Sequence, residues 1–264
     1  MIIENNLKIA VYTCITGGYD KLEIPSFVDS RIDYFCFTDN EVHQDNDFWC
    51  TKLLNFSEFD NKDLNRYIKM NTHIFLSDYD ITVYIDGNVK IVGDLYELLS
   101  EINGLDGVFF AYTHSERNCI YSEAAACSYY SHDWIWNIAK KMRGYSESNY
   151  PVNNGLVSAN VLIRKNNSTM SILMDAWWSA YCHGVKRDQL SLPFISWKLN
   201  IQIDYLVINN FTYFKILGHS QKRTRSIKIT LRKYINRAIA FLIPYHVLFS
   251  IPSKISRKKP FQSI

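Results

Sequence analysis

Residues 84–91 place two oxygen-bearing side chains directly after an apolar run. Residues 81–84 are apolar or β-branched, as in a buried strand, and the run stops at Asp86, which Gly87 and Asn88 follow. Ligands of open α/β sheets bind beyond the carboxyl ends of the strands. A carboxylate and an amide at this spacing suit Mg²⁺ or Mn²⁺ holding a diphosphate. A plain turn would use the same Asp-Gly pair, so these residues alone leave both interpretations open.

Two earlier segments end in a similar way. Residues 8–16 predict a buried strand that Gly17 ends, and the Gly-Gly pair there allows either a ligand to approach the backbone or an ordinary turn. Residues 34–38 predict a second strand that ends at Asp39, and residues 48–54 a shorter third strand. The sequence therefore gathers polar residues at several strand ends.

The segment 61–77 follows helical periodicity and carries a basic face. Arg66, Lys69 and His73 recur at spacings of three and four residues, which places them on one side of a helix. That face is either a solvated stripe or a surface that neutralises a diphosphate.

Strands and helices alternate through the rest of the chain. We expect helices over 93–101, 115–143, 168–183 and 186–197, and strands over 107–113, 156–163 and 201–208. The alternation predicts an α/β sandwich with a mostly parallel sheet. The sequence contains no P-loop, G-x-G-x-x-G or Gly-x-Ser-x-Gly motif, which argues against NTPase, dinucleotide and acyl-hydrolase chemistry.

Length and composition indicate one large domain, or a domain with an appendage, in a chain of 264 residues. The 15% aromatic content fits either a carbohydrate-binding surface or a Tyr-rich core. The six cysteines form no C-x-x-C pair and predict reduced core thiols in a cytosolic protein. We expect neither a signal peptide nor a membrane span.

The charge is unevenly distributed along the chain. From Tyr205 onward there are 12 Lys and Arg residues and no Asp or Glu, whereas the overall net charge is only +3. Within the C-terminal tail, residues 220–264, apolar side chains recur at helical spacing: Leu231, Tyr234, Ile235, Ala238, Ile239 and Leu242. Such a basic amphipathic helix suits an anionic membrane surface. The apolar stripe argues against nucleic acid, and packing on the protein or a second subunit is the other possibility.

Four motifs in order resemble a family of GT-A-fold glycosyltransferases. They are VYTCITGGYD at 11–20, FCFTD at 35–39, YIDGN at 84–88 and RDQLS at 187–191. The family is found in bacterial capsule and O-antigen gene clusters and has distant plant relatives in cell-wall polysaccharide synthesis. The match covers roughly residues 7–220 and implies a GT-A (Rossmann-like) α/β domain.

The resemblance implies a role for each matching residue. Thr13, Gly17 and Asp39 would hold the nucleotide, and Arg66 and Lys69 would face its diphosphate.

The resemblance also implies a metal site and a donor-sugar site. Asp86 and Asn88 match the Asp-x-Asp metal motif, with Asn in place of the second Asp, and His219 resembles the late metal-binding His of glycogenin-like relatives. The donor sugar would contact Asn153, Asn154 and Gly155, and Asp188 and Gln189 would lie beside the anomeric carbon.

We therefore expect a metal-dependent transferase domain over 1–219 and a membrane-associating tail over 220–264. It would move sugar from a nucleoside-diphosphate sugar, with UDP favoured, to a saccharide or lipid-linked acceptor in capsule or lipopolysaccharide synthesis. The resemblance favours retention of configuration. The basic tail would place the protein on the cytoplasmic face of the inner membrane, and the sequence permits an oligomer. A nucleotide-sugar or lipid hydrolase and a non-catalytic scaffold are the alternatives.

Overall fold

The chain divides into two compact units in a computed structural model that describes residues 7–40, 48–206, 210–221 and 227–251. Unit 1 comprises 1–112, 158–178 and 201–222, and unit 2 comprises 113–157, 179–200 and 223–264. Parts of the predicted tail, 222–226 and the basic run 257–259, lie outside the described residues. No helix within the described ranges is long and apolar enough to cross a membrane.

The described strands form a seven-stranded sheet and a two-stranded sheet. They are β1 (Ile9–Ile15), β2 (Ile32–Thr38), β3 (Cys50–Leu53), β4 (Ile81–Ile85), β5 (Val89–Ile91), β6 (Phe109–Thr113), β7 (Val157–Lys165), β8 (Asp204–Leu206) and β9 (Phe214–Ile216). The large sheet has the order β3-β2-β1-β4-β7-β6-β8, and the small one pairs β5 with β9. The predicted α/β class with a mostly parallel central sheet is confirmed, consistent with the implied GT-A fold.

The centre of the large sheet brings three strand ends together. Strand β1 is buried along its whole length, as continuous apolar strands covered on both faces are. It runs parallel to β2, with Ile15 opposite Thr38, and to β4, with Tyr12 opposite Tyr84. Strand β7 pairs antiparallel to β4. The carboxyl ends of β2, β1 and β4 therefore lie side by side at one edge of the sheet.

Helices occupy the segments between the strands. The described helices are α1 (Asn61–Met70), α2 (Thr72–Phe75), α3 (Leu95–Asn103), α4 (Ile120–Tyr129), α5 (Ile135–Glu147), α6 (Ser168–Cys182), α7 (Leu192–Leu199), α8 (Asn210–Tyr213), α9 (Ile227–Leu242) and α10 (Tyr245–Leu248). A 3₁₀ turn covers Asp188–Leu190.

Two long helices predicted from the sequence are each divided in two. The predicted 61–77 helix breaks at Asn71, whose amide side chain donates to the carbonyl of Tyr67 and so competes with the helix backbone. His73 consequently lies on α2, where its ring contacts Asp175, and the predicted basic face is interrupted. The predicted 115–143 helix is divided into α4 and α5 by a turn in which Ser131 has a φ of 64°.

The two units have separate apolar cores. In unit 1, β1, β2 and β4 pack with α3. In unit 2, α4, α5 and α7 pack with the end of the described chain, where Phe249 is fully buried. Of the six predicted core thiols, Cys50 and Cys182 are instead exposed, because they stand at the start of β3 and the end of α6.

Candidate active site

The loop after β1 binds the carboxylate that follows β2. The backbone N–H of Gly17 lies 2.9 Å from both carboxylate oxygens of Asp39. Gly17 has a φ of +61°, and a Cβ there would lie 2.1 Å from the amide nitrogen of Asn61, so only glycine fits. Two of the residues predicted to hold a nucleotide are thus in direct contact. The third, Thr13, is buried within β1, and its hydroxyl has no hydrogen-bond partner among the described residues.

Asp86 lies between a buried ammonium and a buried phenol. Tyr84 donates its hydroxyl proton to Asp86 Oδ1 over 2.8 Å, and Lys69 Nζ lies 3.6 Å from the same oxygen. Burial, and then the charge of Asp86, raise the pKa of Tyr84 well above its usual value, so Tyr84 remains a donor. The Lys69 side chain is 1% exposed and that of Asp86 29%. The carboxylate therefore reaches solvent, with the ammonium on its inner side.

A buried arginine holds the end of α1 from which Lys69 projects. Arg164, on β7, donates to the Lys69 carbonyl over 2.9 Å and to the hydroxyls of Tyr12 and Thr72. Arg66, one turn earlier on α1, donates to the side chain of Asn65, which itself donates to the Cys14 carbonyl at 2.6 Å. Both predicted diphosphate-binding residues are thus fixed to β1 or to its neighbours.

The small sheet brings the chain after β9 to Asn88. The Asn88 amide donates to the Leu217 carbonyl over 2.8 Å. Two residues later, His219 Nδ1 lies 3.1 Å from both oxygens of Asp20. Asp20 is 8% exposed, and a Cβ on Gly87 would lie 3.1 Å from its Cβ. Asp20 therefore lies against the Asp86–Asn88 turn and orients His219.

The donor atoms that remain fit a divalent cation. The Asp20 contact uses Nδ1 of His219 and leaves Nε2 for a ligand, in the arrangement common for metal-binding histidines. Asn88 keeps its amide oxygen and Asp86 its carboxylate, which are hard donors suited to Mg²⁺ or Mn²⁺. Among the described residues, no three or more His, Cys, Asp or Glu side chains are placed to hold a metal ion. A cation would thus depend on Asn88 and on diphosphate oxygens as well.

In unit 2, the predicted catalytic pair lies in the 3₁₀ turn. Both Asp188 and Gln189 are buried. The Gln189 amide donates to the Val157 carbonyl over 3.0 Å and its oxygen accepts from Arg187 at 2.6 Å. The helix predicted to open at 186 begins only at Leu192, so Asp188 does not cap it.

Arg187, which bonds to Gln189, also contacts the buried carboxylate of Glu123. Glu123, on α4, is 2% exposed and accepts from Arg187 at 3.3 Å and from Arg117 at 2.8 Å. Burial, together with the charge of Arg117, lowers the pKa of the adjacent His114. No role for Glu123 was predicted from the sequence, although an acidic residue within the small and apolar run SEAAACS was an available signal. Asp20 was missed as well, although it ends the GGYD motif.

The predicted donor-sugar loop follows α5. Asn153 and Gly155 have φ values of 57° and 83°, in the left-handed region. The Asn153 and Asn154 side chains are exposed. Their role toward a sugar stays a prediction.

Comparisons with known proteins identify a family. The family model "TOD1/MUCI70, glycosyltransferase-like domain" matches residues 2–217. No curated protein sequence matches the chain. The apo crystal structure of mouse xyloside xylosyltransferase 1 is 10% identical, covers 76% of this chain and 85% of its own, and has a TM-score of 0.45. That likeness is too low to support an inference about this chain.

Proposed function

The chain belongs to the family of TOD1/MUCI70 glycosyltransferase-like domains, and we propose that it moves a sugar from a nucleoside-diphosphate sugar to a saccharide or lipid-linked saccharide. UDP is the favoured nucleotide, and a divalent cation, Mn²⁺ or Mg²⁺, assists. The product would belong to a surface polysaccharide such as capsule or lipopolysaccharide, and retention is the favoured stereochemistry.

The arrangement at the ends of β1, β2 and β4 supports this proposal most directly. Asp39 is bonded to the Gly17 backbone, and Asp86 lies beside the Lys69 ammonium, on strands that are neighbours in the sheet. Ligands of open α/β sheets bind at such strand ends. A glycine-rich loop, a carboxylate and a buried cation together suit a ribose and a diphosphate.

Each group has a defined task in the proposed reaction. Asp39 and Gly17 hold the nucleoside, while Lys69 and Arg66 offset the charge on the departing diphosphate. A cation on Asp86, Asn88 and His219 would supply Lewis-acid stabilisation of the same leaving group. Asp188 provides the carboxylate that stabilises positive charge at the anomeric carbon or takes the acceptor proton.

Calorimetric titration of UDP, GDP and CMP, with and without Mn²⁺, tests the nucleotide and metal site. We expect one nucleotide to bind with Mn²⁺, and Asp86→Asn to weaken that binding by at least about tenfold, since the metal loses an anionic ligand. Asp175→Asn is the matched control, because Asp175 is also in unit 1 but is 68% exposed and bonds to the ring of His73, away from the predicted metal ligands. Absence of binding, or equal binding by the Asp86 variant, would contradict the proposal and favour the scaffold alternative.

Turnover assays separate transfer from hydrolysis. With a nucleotide sugar and an acceptor extract, a transferase releases the nucleoside diphosphate only when the acceptor is present. Asp188→Asn should keep nucleotide affinity and lose most turnover. Release at the same rate without an acceptor would instead identify the hydrolase alternative.

A further inference from the structure

Helix α9 is attached to unit 2 through one buried polar residue. Asn236 is fully buried and accepts from the backbone N–H of Ile135 at 2.9 Å. Its amide donates to the carbonyls of Ser128 and Asp133. These three bonds fix which side of α9 faces the protein.

The opposite side of α9 is apolar and exposed. Residues 227, 231, 234, 238 and 241 recur at spacings of four and three, so they lie on one helix face. On this outer face, Phe241 is 82% exposed and Ile227 89%. The remaining exposed apolar members are Leu231, Tyr234, Ala238 and Leu242.

The observed face differs in part from the stripe predicted from the sequence. Ile239 packs against the core of unit 2, together with Ala240. Phe241 and Ile227, which the predicted stripe did not include, are the most exposed of its large apolar side chains. The protein therefore uses one side of α9 for its own packing and leaves a continuous second side uncovered.

Cationic side chains border this outer face. Lys228 and Arg232 lie along one edge and Lys233 and Arg237 along the other, as their helical positions require. Arg237 is held over the Tyr129 ring, with its guanidinium carbon 4.0 Å from the centroid. No Asp or Glu follows Tyr205 in the sequence. Helix α9 itself therefore carries positive charge and no negative charge.

We infer that the outer face of α9 lies in the interfacial region of an anionic lipid bilayer. Apolar side chains that enter the acyl boundary and cations at the level of the headgroups match such a surface in both chemistry and geometry. Two copies of this helix face to face would bring their cationic borders together, which disfavours a self-contact. The inference does not depend on the glycosyltransferase proposal.

Vesicle flotation with the full-length protein tests it. We expect binding to phosphatidylcholine vesicles containing 30% phosphatidylglycerol and much weaker binding to phosphatidylcholine alone, because the cations that border α9 are attracted to anionic headgroups. Leu231→Gln, Phe241→Gln and Leu242→Gln in one chain should weaken binding roughly tenfold or more, because three inserted side chains are lost.

A matched triple variant controls for loss of exposed apolar surface as such. Ile24, Ile74 and Ile172 are 52%, 54% and 55% exposed and lie outside α9, so changing all three to Gln should leave binding unchanged. Lys228→Gln with Lys233→Gln should reduce binding to anionic vesicles about thirtyfold and leave weak binding to neutral vesicles unaltered.

Three outcomes would overturn the inference. The first is absence of wild-type binding to anionic vesicles, and the second is equal binding by the α9 triple variant. The third is a dimer, measured by sedimentation velocity, that the triple variant dissociates while no vesicle binding is found; that result would assign the face to a second copy. Unfolding curves of every variant show whether lost binding is due to lost structure.

Discussion

Among single residues, Glu123 is a buried charge whose removal should lower the stability of the protein. Its carboxylate accepts from Arg117 and Arg187 and is almost fully enclosed. Glu123→Gln would remove the buried negative charge that Arg117 and Arg187 share. We expect the free energy of unfolding to fall by about 2–4 kcal/mol, as when a buried ion pair loses one partner. Urea denaturation measures this loss.

Glu116→Gln is the control for that experiment, since Glu116 contacts the same Arg117 at 2.8 Å but is 46% exposed. Solvent screens such a pair, so its loss should cost under about 1 kcal/mol. Equal losses for the two variants would contradict the role assigned to Glu123.

Lys141 gives a prediction about pH. Burial lowers the pKa of its ammonium to about 8, and Nζ donates to the Ala180 carbonyl at 3.1 Å. The unfolded chain therefore binds more protons between pH 8 and about 10.4, and stability rises with pH across that window. Below pH 8 the full penalty is present. Lys141→Met should thus raise stability at pH 7 by about 1–2 kcal/mol, the lost hydrogen bond offsetting part of the gain.

The difference between wild type and Lys141→Met should shrink as pH rises from 8 to 10. The folded lysine is then neutral, and the free-energy cost of removing its proton falls as the pH approaches the pKa of the unfolded chain, about 10.4. Thermal unfolding at each pH measures it, and other titrating groups cancel in the comparison. Lys140→Met, at the exposed neighbouring position, should show no such convergence. A constant difference across the range would refute the assignment.

The sequence predicts residues at strand ends better than residues held by distant contacts. Gly17, Asp39 and Asp86 follow apolar runs, so their place at one sheet edge can be inferred from the strand pattern. Asp20 meets His219 across 199 residues of chain, and no local pattern encodes that contact. The same holds for Arg164, whose buried charge is met by hydroxyls and a carbonyl from other elements.

At the scale of elements, apolar runs predict strands but not their direction. Strand β7 contains an apolar run, as β4 does, yet the two strands are antiparallel. The side-chain periodicity of a strand is the same in either direction, so it does not predict this. Breaks within the predicted helices are also difficult to predict from the sequence. Helix α1 ends at Asn71, whose backbone N–H and side-chain amide both donate to the Tyr67 carbonyl, and nothing in the surrounding sequence marks this residue as the end.

At the scale of elements, the role of Asn236 in attaching helix α9 to unit 2 can be tested by substitution. Asn236→Leu keeps the branched shape of the side chain but leaves the Ile135 N–H without its acceptor and removes one donor from each of the Ser128 and Asp133 carbonyls. We expect unfolding to become easier by about 2–3 kcal/mol, the cost of unsatisfied buried groups, and hydrogen exchange along α9 to accelerate. Ala238→Leu adds the same side chain on the exposed face and should change stability by less than about 0.5 kcal/mol. Similar effects from both variants would show that Asn236 does not hold the helix.

For the whole molecule, chain order does not reveal how the units are composed. Segments 158–178 and 201–222 belong with the N-terminal part of the chain, while 179–200 and 223–264 belong with 113–157. This division of the chain between the units depends on which strands pair, and strand pairing cannot be inferred from amino-acid composition. The boundary predicted between residues 219 and 220 therefore stays a prediction, as does a membrane role for the tail.

Nucleotide binding should stabilise the two units unequally. Every residue predicted to hold the nucleotide or metal lies in unit 1, and binding to the folded state alone adds about 2.7 kcal/mol at a ligand concentration 100 times the dissociation constant. With UDP and Mn²⁺, amide exchange should slow at Gly17 and Asp86, whose N–H groups bond to Asp39 and Asn160. Exchange in the α5 core of unit 2 should stay unchanged, and Asp86→Asn should abolish the effect. Protection confined to unit 2 would instead place the nucleotide away from the strand ends and contradict the assignment of Asp39 and Asp86.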